Sequence, residues 1–138
     1  MFKLIKILNS GVNVPEPKAY PTSGDVALEV GSALVLRGGL LRSAEEVEMP
    51  EYVSASAAKK GETTILAYEI FENMLFETPI LASPEGLVIG EKLTLTREAT
   101  SAVGVSSTTT AGVATIHDLC GAEKAGDKIV VQFKKEIN

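Results

Sequence analysis

Apolar residues in this chain recur at every second position, in short runs separated by turns that carry glycine or proline, and no stretch sustains a helical period. A period of two puts alternate side chains on opposite faces of a strand, so the pattern commits the chain to sheets. Ala33–Leu36 and Leu40–Leu41 flank Arg37, Gly38 and Gly39, where two glycines suit a tight hairpin turn that needs positive φ. Tyr52–Ala57 alternates more weakly, and Thr64–Phe71 is rich in β-branched and aromatic residues. Asn73 allows a reversal into Met74–Ile80, and Lys92–Thr96, Val113–His117 and Lys128–Phe133 complete the expected strands. Ser43–Glu46 fits a capping box, but Pro50 leaves room for only a turn or two of helix, so a loop is an equal reading there. The expected class is all-β, as a small β-barrel or a barrel-like sandwich.

The two halves share an order of features. Val30–Leu36 reads VGSALVL and Ile89–Leu95 reads IGEKLTL, each an apolar residue, a glycine, two free positions and an apolar alternation. Later in each half a glycine–acid pair, Gly61–Glu62 or Gly126–Asp127, precedes a strand, with the alternating segments Val53–Ala57 and Val113–His117 in between. Turn glycines before apolar alternation also recur by coincidence in β proteins. An internal two-fold pseudo-repeat and coincidence therefore both stay open at this level.

Residues 1–24 read differently from the rest. Pro15, Pro17 and Pro21 with Gly11 and Gly24 exclude a helix or a central strand, which gives an N-terminal strand and extended arm over 1–24 and a single β domain over 25–138. Phe2, Leu4, Ile5, Ile7 and Leu8 are the candidate partner-contact residues: as an added strand they would anchor in a neighbouring sheet while the main chain supplies hydrogen bonds. The competing reading makes the same segment the first strand of the chain's own sheet. On the first reading, deletion of residues 1–14 leaves the fold intact.

Charge and residue types restrict the function. A net charge of −5 repels phosphate backbones and anionic lipid, and Lys134 and Lys135 with Lys128 fit a solvated strand end, so neither nucleic acid nor membrane is an expected partner. Lys6 interrupts the apolar start and no cleavage site follows, so the chain is expected to be unprocessed and soluble. Cys120, the one cysteine, has no internal disulfide partner. His117 is the one histidine and lies next to Asp118, so any catalytic triad or multi-histidine metal set would have to be built around it alone. Glu45, Glu46, Glu48 and Glu51 lack the spacing of a calcium loop and read as a solvated acidic loop. Ser106–Thr110 is a polar connector by composition, and Lys59–Lys60 lacks the context of a biotin or lipoyl carrier lysine. No catalytic residue, cofactor or metal is expected. An enzyme is the least favoured class, behind a small-molecule or peptide-binding barrel.

The segment from Leu8 to Pro17, together with Gly31–Leu36, Tyr52–Val53, Phe76–Pro79 and Gly126–Phe133, resembles small proteins of tailed bacteriophages and prophages, among them head decoration or capsid-stabilising proteins. The resemblance implies a β-rich virion structural protein on the capsid exterior, made in the host bacterial cytoplasm. Its implied partners are the major capsid protein or further copies of itself, with a homotrimer among the implied assemblies.

Overall fold

In the computed structural model, residues 1–8 and 15–134 are described. Twelve strands follow in order: β1 (Lys3–Ile7), β2 (Lys18–Pro21), β3 (Ala33–Arg37), β4 (Leu40–Ser43), β5 (Tyr52–Ser54), β6 (Thr64–Glu69), β7 (Met74–Pro79), β8 (Lys92–Leu93), β9 (Leu95–Glu98), β10 (Ser101–Val105), β11 (Ala114–Asp118) and β12 (Lys128–Gln132). Among the described residues there is no helix, and Ser43–Glu46 is the end of a strand and a loop. The strands form sheets in the orders β2-β6-β5-β3-β4 and β1-β7-β12-β11-β8, with β9-β10 as a separate hairpin. Every ladder is antiparallel.

Of the two expected architectures the sandwich-like one is present, because no sheet closes on itself through a continuous ladder. Each half curls only far enough for its first and last strands to touch. Thr22 meets Leu41, and Ile80 meets Val105, each at one isolated parallel bridge.

The half-repeat is real at the level of hydrogen bonds. Gly31 N donates to Ser54 O at 2.9 Å and Ser54 N to Ser32 O at 3.0 Å; in the second half Gly90 N donates to Ile116 O at 2.9 Å and Ile116 N to Glu91 O at 2.8 Å. The strand registers match as well. Leu34↔Tyr52 recurs as Leu93↔Ala114, Val53↔Tyr68 as Thr115↔Gln132, and Pro21↔Thr64 as Pro79↔Lys128. Both turn glycines sit at positive φ, +75° at Gly31 and +95° at Gly90, where a Cβ is strained. So β2, β5 and β6 correspond to β7, β11 and β12, β3 to β8 with β9, and β4 to β10. Among the described residues, strand β1 has no counterpart.

Two apolar clusters hold the layers together. The larger takes Ala33, Val35 and Val53 from the first half, and Phe76, Leu93, Ile116, Ile129 and Val131 from the second, with Phe2 and Phe133 closing one end. The smaller, Leu28, Leu34, Leu41, Ala58, Ile65 and Ala67, fills the opposite face of the first sheet beneath the Tyr20–Tyr52 ring pair, centroids 4.8 Å apart. Alternation explains the division: Leu34 points one way, its neighbours Ala33 and Val35 the other.

The two sheet edges at β7 and β2 are treated differently. Segment 1–24 supplies β1 to the β7 edge of one sheet and β2 to the edge of the other; residues 9–14 of the expected arm lie outside the described residues. Thr22 N donates to Thr63 O, so by alternation Tyr20 and Lys18 bond toward β6 while Ala19 and Pro21 turn their backbone outward. Pro21 there, and Pro17 one pleat further on, offer no N–H, which blunts this edge against another strand. The matching edge of β7 accepts β1, with Lys3 opposite Glu77.

Candidate interaction surface

The five apolar residues of the N-terminal strand do not form one free anchor row; the structure divides them. Phe2 is only 1% exposed, and its ring meets Phe133 edge-on at 5.4 Å between centroids. Leu4 and Ile7 are half-buried against the larger cluster. Leu8 N donates to Asn73 O at 2.7 Å and Leu8 O accepts from the Asn73 side-chain amide at 3.1 Å, which ties down the strand end. Ile5 is displaced by the register shift between Leu4 and Lys6 and stays 42% exposed.

Beside β1 runs a groove of about 180 Å³, floored by Val53 and walled by Met1, Leu4, Val30, Ala55 and Tyr68. Lys3 and Lys6 are exposed along the strand, while Lys128 pairs with Glu77 at 3.4 Å. Burial lowers the pKa of the Met1 ammonium despite the opposing pull of Glu98. In a chain of net charge −5 this edge is locally cationic and partly apolar. Edge lysines repel stray strands of like charge, yet they also favour an acidic partner surface.

The residues considered for catalysis are not assembled into a reaction centre. His117 and Asp118 are exposed on β11. Cys120 is exposed at φ +54°, and its own N–H donates to Asp118 Oδ1 at 2.8 Å. Burial and the neighbouring Asp118 carboxylate raise the thiol pKa, which disfavours the nucleophilic thiolate. No group of three or more potential metal ligands occurs among the described residues. The interiors of both halves are occupied by side chains such as Leu34, Ile65, Leu93 and Ile129, each no more than 1% exposed. The polar connector is stitched down too, Thr94 N donating to Thr108 O and Ser106 N to Thr94 O.

The acidic loop is an ion-pair network involving all three arginines of the chain. Arg37 reaches Glu48 and Glu51 at 2.9 Å, Arg42 reaches Glu48 at 3.2 Å, and Arg97 reaches Glu45 at 3.3 Å. Burial alone would raise the pKa of Glu48, but the Glu45 amide and the Arg42 and Arg37 guanidiniums outweigh it, and the net shift is downward. A lowered folded-state pKa contributes stability above the unfolded-state value and loses it as pH falls through the folded-state one. The melting temperature of Glu48→Gln is therefore expected to fall less than the wild type's on acidification from about pH 7 to pH 3. Calorimetry reads the difference; because the network is solvent-screened, about 1 kcal/mol or less is expected from it. Parallel melting curves for the two proteins would remove Glu48 from the acid response.

Other exposed apolar residues escaped the sequence reading: Val88 at 56%, Ile89 at 66%, Val47 at 57% and Phe71 at 54%. Ile89 stands out only once the repeat is taken as structure, because its counterpart Val30 is 39% exposed beside Met1.

No protein-family model matches this chain, and no curated protein matches it. Among solved structures, the fold is similar to the N base of the head fiber protein of bacteriophage phi29, with a TM-score of 0.55. That similarity covers 88% of this chain and 98% of the other at 11% sequence identity.

Proposed function

We propose that this chain is a structural protein of a phage or prophage virion, held at the head by protein–protein contacts, where it decorates or stabilises the capsid exterior. The observation that carries this reading is the likeness of fold to a phage head fiber base over nearly the whole length of both chains. The sequence resemblance to small phage head proteins points the same way. A side-chain-filled interior and a cationic, partly apolar β1 edge suit a protein that works through its outside.

The partner in this reading is the major capsid protein, further copies of this chain, or both. Within β1 the contact falls to Ile5, Lys3 and Lys6, since Phe2, Leu4 and Ile7 are engaged inside the chain's own fold. Purified DNA-filled heads from the encoding phage or induced prophage are expected to contain the chain by mass spectrometry. Antibody against it is expected to label intact heads. Heads free of the chain would overturn the virion reading; labelling only after disruption would overturn the exterior placement.

A further inference from the structure

The two halves of the chain meet head to tail. The β9–β10 hairpin of the second half reaches over the turn that precedes β3 in the first: Thr100 Oγ1 donates to Ala27 O, and Ser101 Oγ accepts from Glu29 N at 2.9 Å. Phe2 N donates to the Gly31 carbonyl of this turn at 2.8 Å, and Met1 packs so closely over Gly31 that a Cβ there would collide with it. The turn before β3 is thus covered twice.

Its counterpart before β8 is bare. Val88 and Ile89 are 56% and 66% exposed, and a Cβ on Gly90 would meet nothing within 4 Å. The counterpart of the covering hairpin, β3–β4, is also uncovered, with Leu36 37% and Leu40 38% exposed. A contact that one half makes and the other does not return is heterologous, and it leaves one copy of each mating surface unused.

We infer that the β3–β4 hairpin of one copy docks on the Val88–Gly90 turn of a second copy, joining chains head to tail. Leu40 meets Val88 and Ile89, and Arg37, its cross-strand partner on the same face with 47% of its side chain exposed, lies toward a turn flanked by Glu85 and Glu91 while keeping its pairs with Glu48 and Glu51. Beyond the corresponding pairs Leu36↔Leu41 and Leu95↔Val105, the β3–β4 hairpin has one further pair before its turn where β9–β10 has three, and it brings apolar side chains where β9–β10 brings hydroxyls, so association between copies is weaker than the clasp within a chain.

Light scattering on the purified chain is expected to show mass rising with concentration from the low to the high micromolar range. Leu40→Asp and Ile89→Asp, both at exposed positions, are each expected to remain monomeric, with unchanged circular dichroism. Mixed in equal amounts they are expected to form a dimer and nothing larger, because each still carries the surface that the other lacks. Phe71→Asp, at an exposed apolar residue elsewhere, is expected to associate as the wild type does. A wild type monomeric throughout, single variants that associate like the wild type, or a mixture that stays monomeric would overturn the inference. The assay needs no phage particle, so its outcome is separate from that of the virion reading.

Discussion

Replacing Phe2 by alanine is expected to lower the unfolding free energy by about 3–5 kcal/mol, the usual cost of emptying a fully buried aromatic site. Phe2 is 1% exposed, and its ring is one of three in contact: Phe2 on Phe133 at 5.4 Å, and Phe76 on Phe133 at 5.6 Å. The Phe2–Gly31 hydrogen bond and the β1–β7 ladder hold the main chain in place and so oppose collapse into the space. Deleting residues 1–8 is expected to cost at least as much, since it also removes Leu4 and Ile7 and bares the β7 edge. This outcome runs against the arm reading, on which residues 1–14 can be removed with the fold intact, because Phe2 belongs to the larger cluster and Leu4 and Ile7 pack against it. Urea titration followed by circular dichroism measures both variants. A Phe2→Ala loss below about 1 kcal/mol would mean that β1 is detached from β7 in solution.

Gly112→Ala is expected to be the second severe substitution, costing about 3 kcal/mol or more, or preventing folding outright. A Cβ at Gly112 would lie 2.5 Å from Lys92 O and 2.7 Å from Leu93 N. These are backbone atoms of β8, which is paired with β11 just beyond, so they cannot swing aside as a side chain would. Gly38→Ala is the control. Nothing lies within 4 Å of a Cβ there, so only the strain of φ +58° remains, about 1 kcal/mol. Thermal melts of the two variants should separate clearly. Equal losses would mean that β8 yields to the added methyl group.

What the sequence revealed depended on whether a local cause fixed the structure. Gly38 and Gly39, at φ +58° and +81°, form the β3–β4 turn where the glycine pair stands, because few other residues adopt that conformation. Gly31 and Gly90 marked the repeat for the same reason. The β9–β10 hairpin was not legible: its reversal runs through Ala99 at φ +52°, a residue that gives no turn signal, and the ladder imposes the strain. The position of β1 was open too, since main-chain pairing shows little in sequence and an apolar strand suits its own sheet as well as a neighbour's. The exposed turn at Val88–Ile89 was hidden because exposure depends on what covers a residue. In the first half Met1, Phe2 and the hairpin supply that cover, and no residue near Ile89 records its lack.

The hairpin-on-turn clasp between the halves also depends on the covalent join at residues 70–73. A tether that short holds the two surfaces at an effective concentration on the order of millimolar, so a contact too weak to join separate molecules is nearly saturated within one chain. Copies fixed side by side on a regular shell would experience the same advantage without any linker. On such a shell the unreturned half of the clasp could act as mortar between neighbours, and in dilute solution it would fall silent.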